Sequence, residues 1–98
     1  MNVNSNIPEQ TVISTFRNLP AQSRQVLSLP LTQFILLQKK EYYEKLSYTE
    51  KCLISTERLT EVLYRRLKKY QIKIRKASIR NILMAEEQYY LTLSDIYT

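Results

Sequence analysis

The 98-residue sequence has no glycine, no histidine and no tryptophan, with one cysteine and three prolines. Each shortage excludes something. Tight β-hairpin turns depend on residues that accept positive φ, and Gly above all, so a hairpin-rich β fold is not expected. A phosphate-cradling Gly loop cannot be built at all. The lack of His removes the commonest general base, the usual catalytic triads and most zinc sites. It also removes carboxylate-bridged dimetal sites, which need a Glu-x-x-His pattern. The close acid pairs, Glu41 with Glu44 and Glu86 with Glu87, therefore fit helix-surface pairing, such as Glu41 with Lys45 four residues on. Cys52 has no second cysteine to join and no base to activate it, so a half-buried structural thiol is expected. Long apolar runs are missing too. The longest uncharged stretch, "QVLSLPLTQFILLQ", is too short to span a bilayer and contains Pro30. The opening "MNVNSNIPEQ" lacks the basic start and apolar run of a secretory signal. These absences predict a soluble, cytoplasmic, non-catalytic protein with no cofactor, no metal and no membrane insertion.

What is present is globular in character: 44% of residues are apolar and 24% charged, a balance that can support a packed core. Residues 1–7, rich in Asn and Ser, read as a flexible tail, and 8–98 as a single helical domain. A chain this short buries only roughly 60–65% of its unfolded surface, which favours self-association. Pro8, Pro20 and Pro30 divide the first third. "PEQTVISTFRN" spaces Val12, Ile13 and Phe16 as a short helix, and "PAQSRQVLSL" predicts another with Val26 and Leu27 inward. From Leu31 onward there is neither Gly nor Pro, and apolar residues recur at helical spacing through Leu31, Ile35, Tyr42 and Leu46, then Leu53, Leu59, Leu63 and Leu67. Ser47 with Glu50 three residues later fits a capping box, and "IST" at 54–56 marks a second joint. The predicted fold is all-α: a small bundle with a helix over about 31–46, a long one from about 48 to 70 or beyond, and a last one to about 92.

One stretch dominates the electrostatics. "YRRLKKYQIKIRKASIR", residues 64–80, holds eight basic residues and no acid. The rest of the chain carries seven Lys or Arg against nine acids, so the whole net charge of +6 is local to this stretch. Its structure has two readings. On one continuous helix the eight cations occupy about half the circumference, with Leu63, Leu67, Tyr70, Ile74 and Ala77 opposite, a long amphipathic basic helix. Ile72 and Ile79 then fall among the charges and, with Leu83 and Tyr90, form a thinner second apolar stripe suited to a helix shared between subunits. In the other reading "QIKIRK" alternates as an extended segment does, and a new helix follows. A helix ending at Tyr70, a connector, and a helix carrying Lys76, Ser78, Arg80 and Asn81 resembles a helix-turn-helix in outline, with Ile79, Ile82 and Leu83 buried. "YYLTLSDIYT" would then be a strand, as in winged-helix domains. The connector is longer than the usual turn and lacks its Gly.

Both readings leave a basic surface made by Arg65, Arg66, Lys68, Lys69, Lys73, Arg75, Lys76 and Arg80, with Ser78 and Asn81 as polar neighbours. Cation runs often do no more than solvate a helix face. Closely spaced like charges repel, however, and an anionic partner relieves that repulsion. Nucleic acid, DNA ahead of RNA, is the first candidate, and an acidic protein surface the second. A membrane surface ranks last, because the opposite face lacks the bulky apolar residues of interfacial helices. Eight tyrosines, two pairs among them, suit packing and oligomer contacts, since each has an apolar ring and a polar tip. A homo-oligomer is expected.

Overall fold

A computed structural model describes residues 8–97 as six α-helices, with no strand among them. They are α1 (Glu9–Arg17), α2 (Ala21–Leu27), α3 (Pro30–Glu44), α4 (Tyr48–Leu53), α5 (Thr56–Lys69) and α6 (Lys76–Tyr97). The expected tail at 1–7 lies outside the described residues. None of these helices is long and apolar enough to cross a membrane.

All three prolines start helices. Pro8 and Pro20 are the N-cap residues of α1 and α2, at φ −58° and −54°, and Pro30 is the first residue of α3. At such positions the missing N–H costs nothing and the fixed φ is already suitable. Two serines start the next pair. Ser47 Oγ accepts from the Glu50 N–H at 3.2 Å while Glu50 Oε1 accepts from the Ser47 N–H at 3.0 Å, closing the capping box. Hydrogen bonding to the Ser47 backbone, and then to its hydroxyl, holds the Glu50 carboxyl below its ordinary range. Ser55 Oγ accepts from the Arg58 N–H at 3.1 Å and opens α5 within the predicted "IST" joint.

Between α5 and α6 the chain reverses without Gly. Ile72 N–H donates to Leu67 O at 3.0 Å and Gln71 N–H to Lys68 O at 2.9 Å, with Gln71 at φ +60°. This is the paired hydrogen-bond pattern of a Schellman C-cap, in which the left-handed residue is normally Gly. Ile72, next in the chain, half-buries itself against the core and anchors the turn, and Ile74 does the same. The continuous helix is therefore overturned, and the connector reading holds: the chain leaves helical geometry at Tyr70 and resumes it at Lys76. A break also resets the helical phase. Tyr70 and Ala77, placed inward on the continuous helix, are both exposed.

The core gathers Ile35 of α3, Leu59, Leu63 and Leu67 of α5, and Ile79, Ile82 and Leu83 of α6. The α5 residues recur every four positions and so face one way. α6 is the central element, packed against α1, α2, α3 and α5. Thr15 and Thr60 are buried, and each hydroxyl donates 2.7 Å to the carbonyl four residues earlier, so neither is left unsatisfied. The strand expected of a winged variant is absent among the described residues: "YYLTLSDIY" continues α6 to Tyr97. Cys52 is exposed rather than half-buried, because no residue of α4 is buried.

The left-handed turn gives a direct test. An L-residue in this region costs about 1–2 kcal/mol, partly offset for Gly by its larger unfolded-state entropy. Gln71→Gly should therefore stabilise the fold by about 0.5–1 kcal/mol in urea unfolding, with an unchanged denaturant slope. A loss of stability would contradict this account of the turn.

Candidate nucleic-acid interface

The break distributes the ten predicted site residues over three segments. Arg65, Arg66, Lys68 and Lys69 lie on the last turns of α5, Lys73 and Arg75 on the connector, and Lys76, Ser78, Arg80 and Asn81 on the first turns of α6. All are exposed except Arg66, which is half-buried. On α5, Arg65 and Lys69 are four apart and point away from the Leu59–Leu63–Leu67 face. Arg58, seven before Arg65, shares that outer ridge. Sequence reasoning passed over it because it lies outside the acid-free run, although the spacing of seven was visible.

Three of the cations have intramolecular work. Arg66 reaches α3: its Nη1 donates to Gln38 Oε1 at 3.3 Å, lies 3.8 Å from Glu41 Oε2, and its guanidinium sits 5.7 Å from the centre of the Tyr42 ring. Gln38 is itself buried, so Arg66 gives an interior amide oxygen a donor. Lys76 ties α6 to α5 by donating to Glu61 Oε1 at 2.5 Å. Its ammonium also lies 5.0 Å from the centre of the Tyr64 ring, which Lys68 approaches at 4.8 Å. The hydrogen bond from Lys76 is the main reason the Glu61 carboxyl stays below its ordinary range, with Coulombic help from Lys76, Arg65 and Arg58.

Among the described residues no side-chain hydrogen bond or ion pair holds the charged groups of Arg65, Lys69, Lys73, Arg75 or Arg80. Lys73 and Arg75 come together with Ile74 and Ser78 around a shallow depression of about 500 Å³. Tyr70, at the end of α5, is 57% exposed, its ring edge-on to Phe34 at 5.3 Å between centres.

Helix dipoles divide these charges into two groups. Arg66, Lys68 and Lys69 occupy the last turn of α5, where the backbone carbonyls favour cations. Lys73, Arg75 and Lys76 sit at the opposite kind of end, around the start of the 22-residue α6, whose first turn has no acid. There each cation is disfavoured by about 0.3–1 kcal/mol at low salt. On the α6 side of the corner the helix dipole thus adds to the positive potential of Lys73 and Arg75 rather than offsetting it.

Comparison of the chain with protein-family models, curated proteins and solved structures finds no match.

The Lys76–Glu61 bond separates a bracing lysine from a free one. Lys76→Gln should raise the Glu61 titration midpoint toward that of an ordinary carboxyl, followed by NMR. Because the folded-state pKa of Glu61 is lowered, the stability linked to it is present above the unfolded carboxyl pKa and is lost as pH falls through the folded value. The substitution should accordingly cost more stability near neutral pH than in acid. An unmoved Glu61 midpoint would show that the bond contributes nothing in solution.

Proposed function

We propose that this chain is a small non-catalytic nucleic-acid-binding protein, with DNA ahead of RNA, that grips the phosphate backbone at the corner between α5 and α6. One observation carries the proposal. Arg65, Lys69, Lys73 and Arg75 are exposed and have no acid paired with them among the described residues. Three acids are engaged with other cations: Glu86 with Lys39, Glu61 with Lys76 and Glu41 with Arg66. Phosphate oxygens would supply the missing counter-charges, and at the start of α6 they would also meet the favourable end of its dipole. Backbone contacts of this kind position a protein without reading sequence.

A finer version follows the helix-turn-helix outline. In it α5 and α6 flank the connector, and Ser78, Arg80 and Asn81 on the first turns of α6 approach base edges. The six residues from Tyr70 to Arg75 exceed the usual turn of three or four, so backbone contact is the part of the proposal that the geometry supports best. A second reading, docking on an acidic protein, is favoured by Tyr70: an exposed aromatic among cations suits the centre of a protein interface.

Salt dependence tests the proposal. If Arg65, Lys69, Lys73 and Arg75 each neutralise one phosphate of B-DNA, log K should fall against log salt with a slope of about −3.6. From 50 to 200 mM salt the affinity should fall about 150-fold. Changing Arg65, Lys69, Lys73 and Arg75 together to Gln should remove most of that slope, read by gel shift with duplex, single-stranded DNA and RNA. Lys40→Gln with Lys45→Gln should leave it nearly unchanged. No binding to any nucleic acid at 50 mM salt would defeat the proposal and leave the acidic-protein reading in front.

A further inference from the structure

The outer face of α6 is exposed along its described length, and it carries apolar residues that lie outside the core cluster. Met84 and Leu91 are each 56% exposed, and Ala77 is exposed as well. These three are seven residues apart, so they fall within about 40° on the helix and form one stripe on the side away from Ile79, Ile82 and Leu83. The stripe is flanked by charge on one side: Arg80 and Glu87, again seven apart, are both exposed and have no hydrogen bond or ion pair among the described residues. About 10 Å of helix rise separates them, too far for a direct ion pair along one helix. The other flank carries Asn81 and Gln88, also exposed.

We propose that this face binds a second copy of the chain, with the two α6 helices antiparallel about a two-fold axis at Met84. The pattern is self-complementary in that orientation. In an isologous contact, the residue n positions before the axis meets the one n positions after it. Met84 then meets Met84 of its copy, and Ala77 meets Leu91, a small residue opposite a large one. Antiparallel helices bring the same flank of both together, so Arg80 of each copy meets Glu87 of the other and Asn81 meets Gln88. A parallel pair would join opposite flanks and place Arg80 near amides, leaving its charge and that of Glu87 unmatched. Charge complementarity thus selects both the partner, a second copy, and its direction. The proposal stands independently of the phosphate grip by Arg65, Lys69, Lys73 and Arg75, and it takes Arg80 and Asn81 away from the base-edge contacts of the finer helix-turn-helix version.

The test is a charge swap read by sedimentation equilibrium on the full chain from micromolar to sub-millimolar concentration. The wild type should rise from 11.7 kDa toward twice that mass. Arg80→Glu and Glu87→Arg should each weaken the dimer by about tenfold or more, because each substitution acts twice by symmetry and turns attraction into repulsion. The double variant R80E/E87R should restore association, since the pairs re-form with signs exchanged. That restoration also excludes misfolding as the cause of the single-variant losses. Met84→Glu sets two carboxylates face to face on the axis and should leave a monomer, with the helical circular dichroism unchanged. A wild type that stays at 11.7 kDa throughout, a double variant no better than the singles, or association indifferent to Met84→Glu would each overturn the proposal. Substituting Arg65, Lys69, Lys73 and Arg75 should leave the dimer intact, so failure here and failure of nucleic-acid binding are distinguishable.

Discussion

The reversal at Leu67–Ile72 is the constraint on which the rest of the structure depends. Two backbone hydrogen bonds and the left-handed Gln71 stop α5 where its carbonyls would otherwise continue the ladder. With the chain turned, Ile79, Ile82 and Leu83 come back onto Leu59, Leu63 and Leu67, and these six with Ile35 form the core. Burying an aliphatic side chain of this size contributes roughly 1.5–3 kcal/mol. That exceeds the roughly 1–2 kcal/mol cost of one left-handed L-residue, so a chain without Gly can still make the turn. Ile72 and Ile74 half-bury themselves in the same cluster. The alternating residues Lys73 and Arg75 are thereby held outward, and the extended pattern of "QIKIRK" becomes a charged edge over an apolar base.

The same turn decides which charges are available. It brings the start of α6 beside α5, where Glu61 takes Lys76, and it lets α5 lie against α3, where Gln38 and Glu41 take Arg66. These contacts join elements far apart in the chain, and they withdraw two of the eight cations from the free surface. Exposed ion pairs of this kind contribute little, about 0–1 kcal/mol, so bracing is a modest use of them. The remaining cations repel one another, and Lys73 and Arg75 sit at the wrong end of a helix dipole. Positive potential concentrated at one corner, with acids distributed elsewhere, is the property that a polyanion would recognise.

Local features of the fold were legible in the sequence, and long-range ones were not. The prolines at 8, 20 and 30, the Ser47–Glu50 box and the "IST" joint act within a few residues, so each announces a helix start by itself. The inward positions Ile79, Ile82 and Leu83 were legible once α6 was read as a separate helix. The choice between that reading and a continuous helix was not, because Gln71 carries no mark of its positive φ, and Gly, the usual mark, is missing. Extending one helical phase across the break placed Tyr70 and Ala77 inside, and both are outside. Cys52 was expected to be half-buried, yet α4 is held by its cap and its chain connections rather than by a buried face, and the thiol is exposed. For the candidate site, the run of cations located the corner, but which cations are bound and which are free depends on Gln38, Glu41 and Glu61, residues that only the tertiary fold brings near.

Arg80 shows how the two surfaces of α6 divide the charge. It belongs to the basic run by sequence, yet by helical position it lies on the outer stripe with Glu87 rather than around the Lys73–Arg75 depression. Paired with Glu87 of a second copy, it would be neutralised and would drop out of the phosphate count, leaving Arg65, Lys69, Lys73 and Arg75 at each corner. An antiparallel pair centred on Met84 sets the two Lys76 residues about 24 Å apart along the helix axis, with the connectors beyond them at opposite ends. Two weak corners linked rigidly at that separation can engage one duplex together, and the second contact then forms at high effective concentration. A corner too small to bind tightly by itself gains affinity from this linkage without any added residue, provided that the spacing of the two corners matches phosphates on the same molecule.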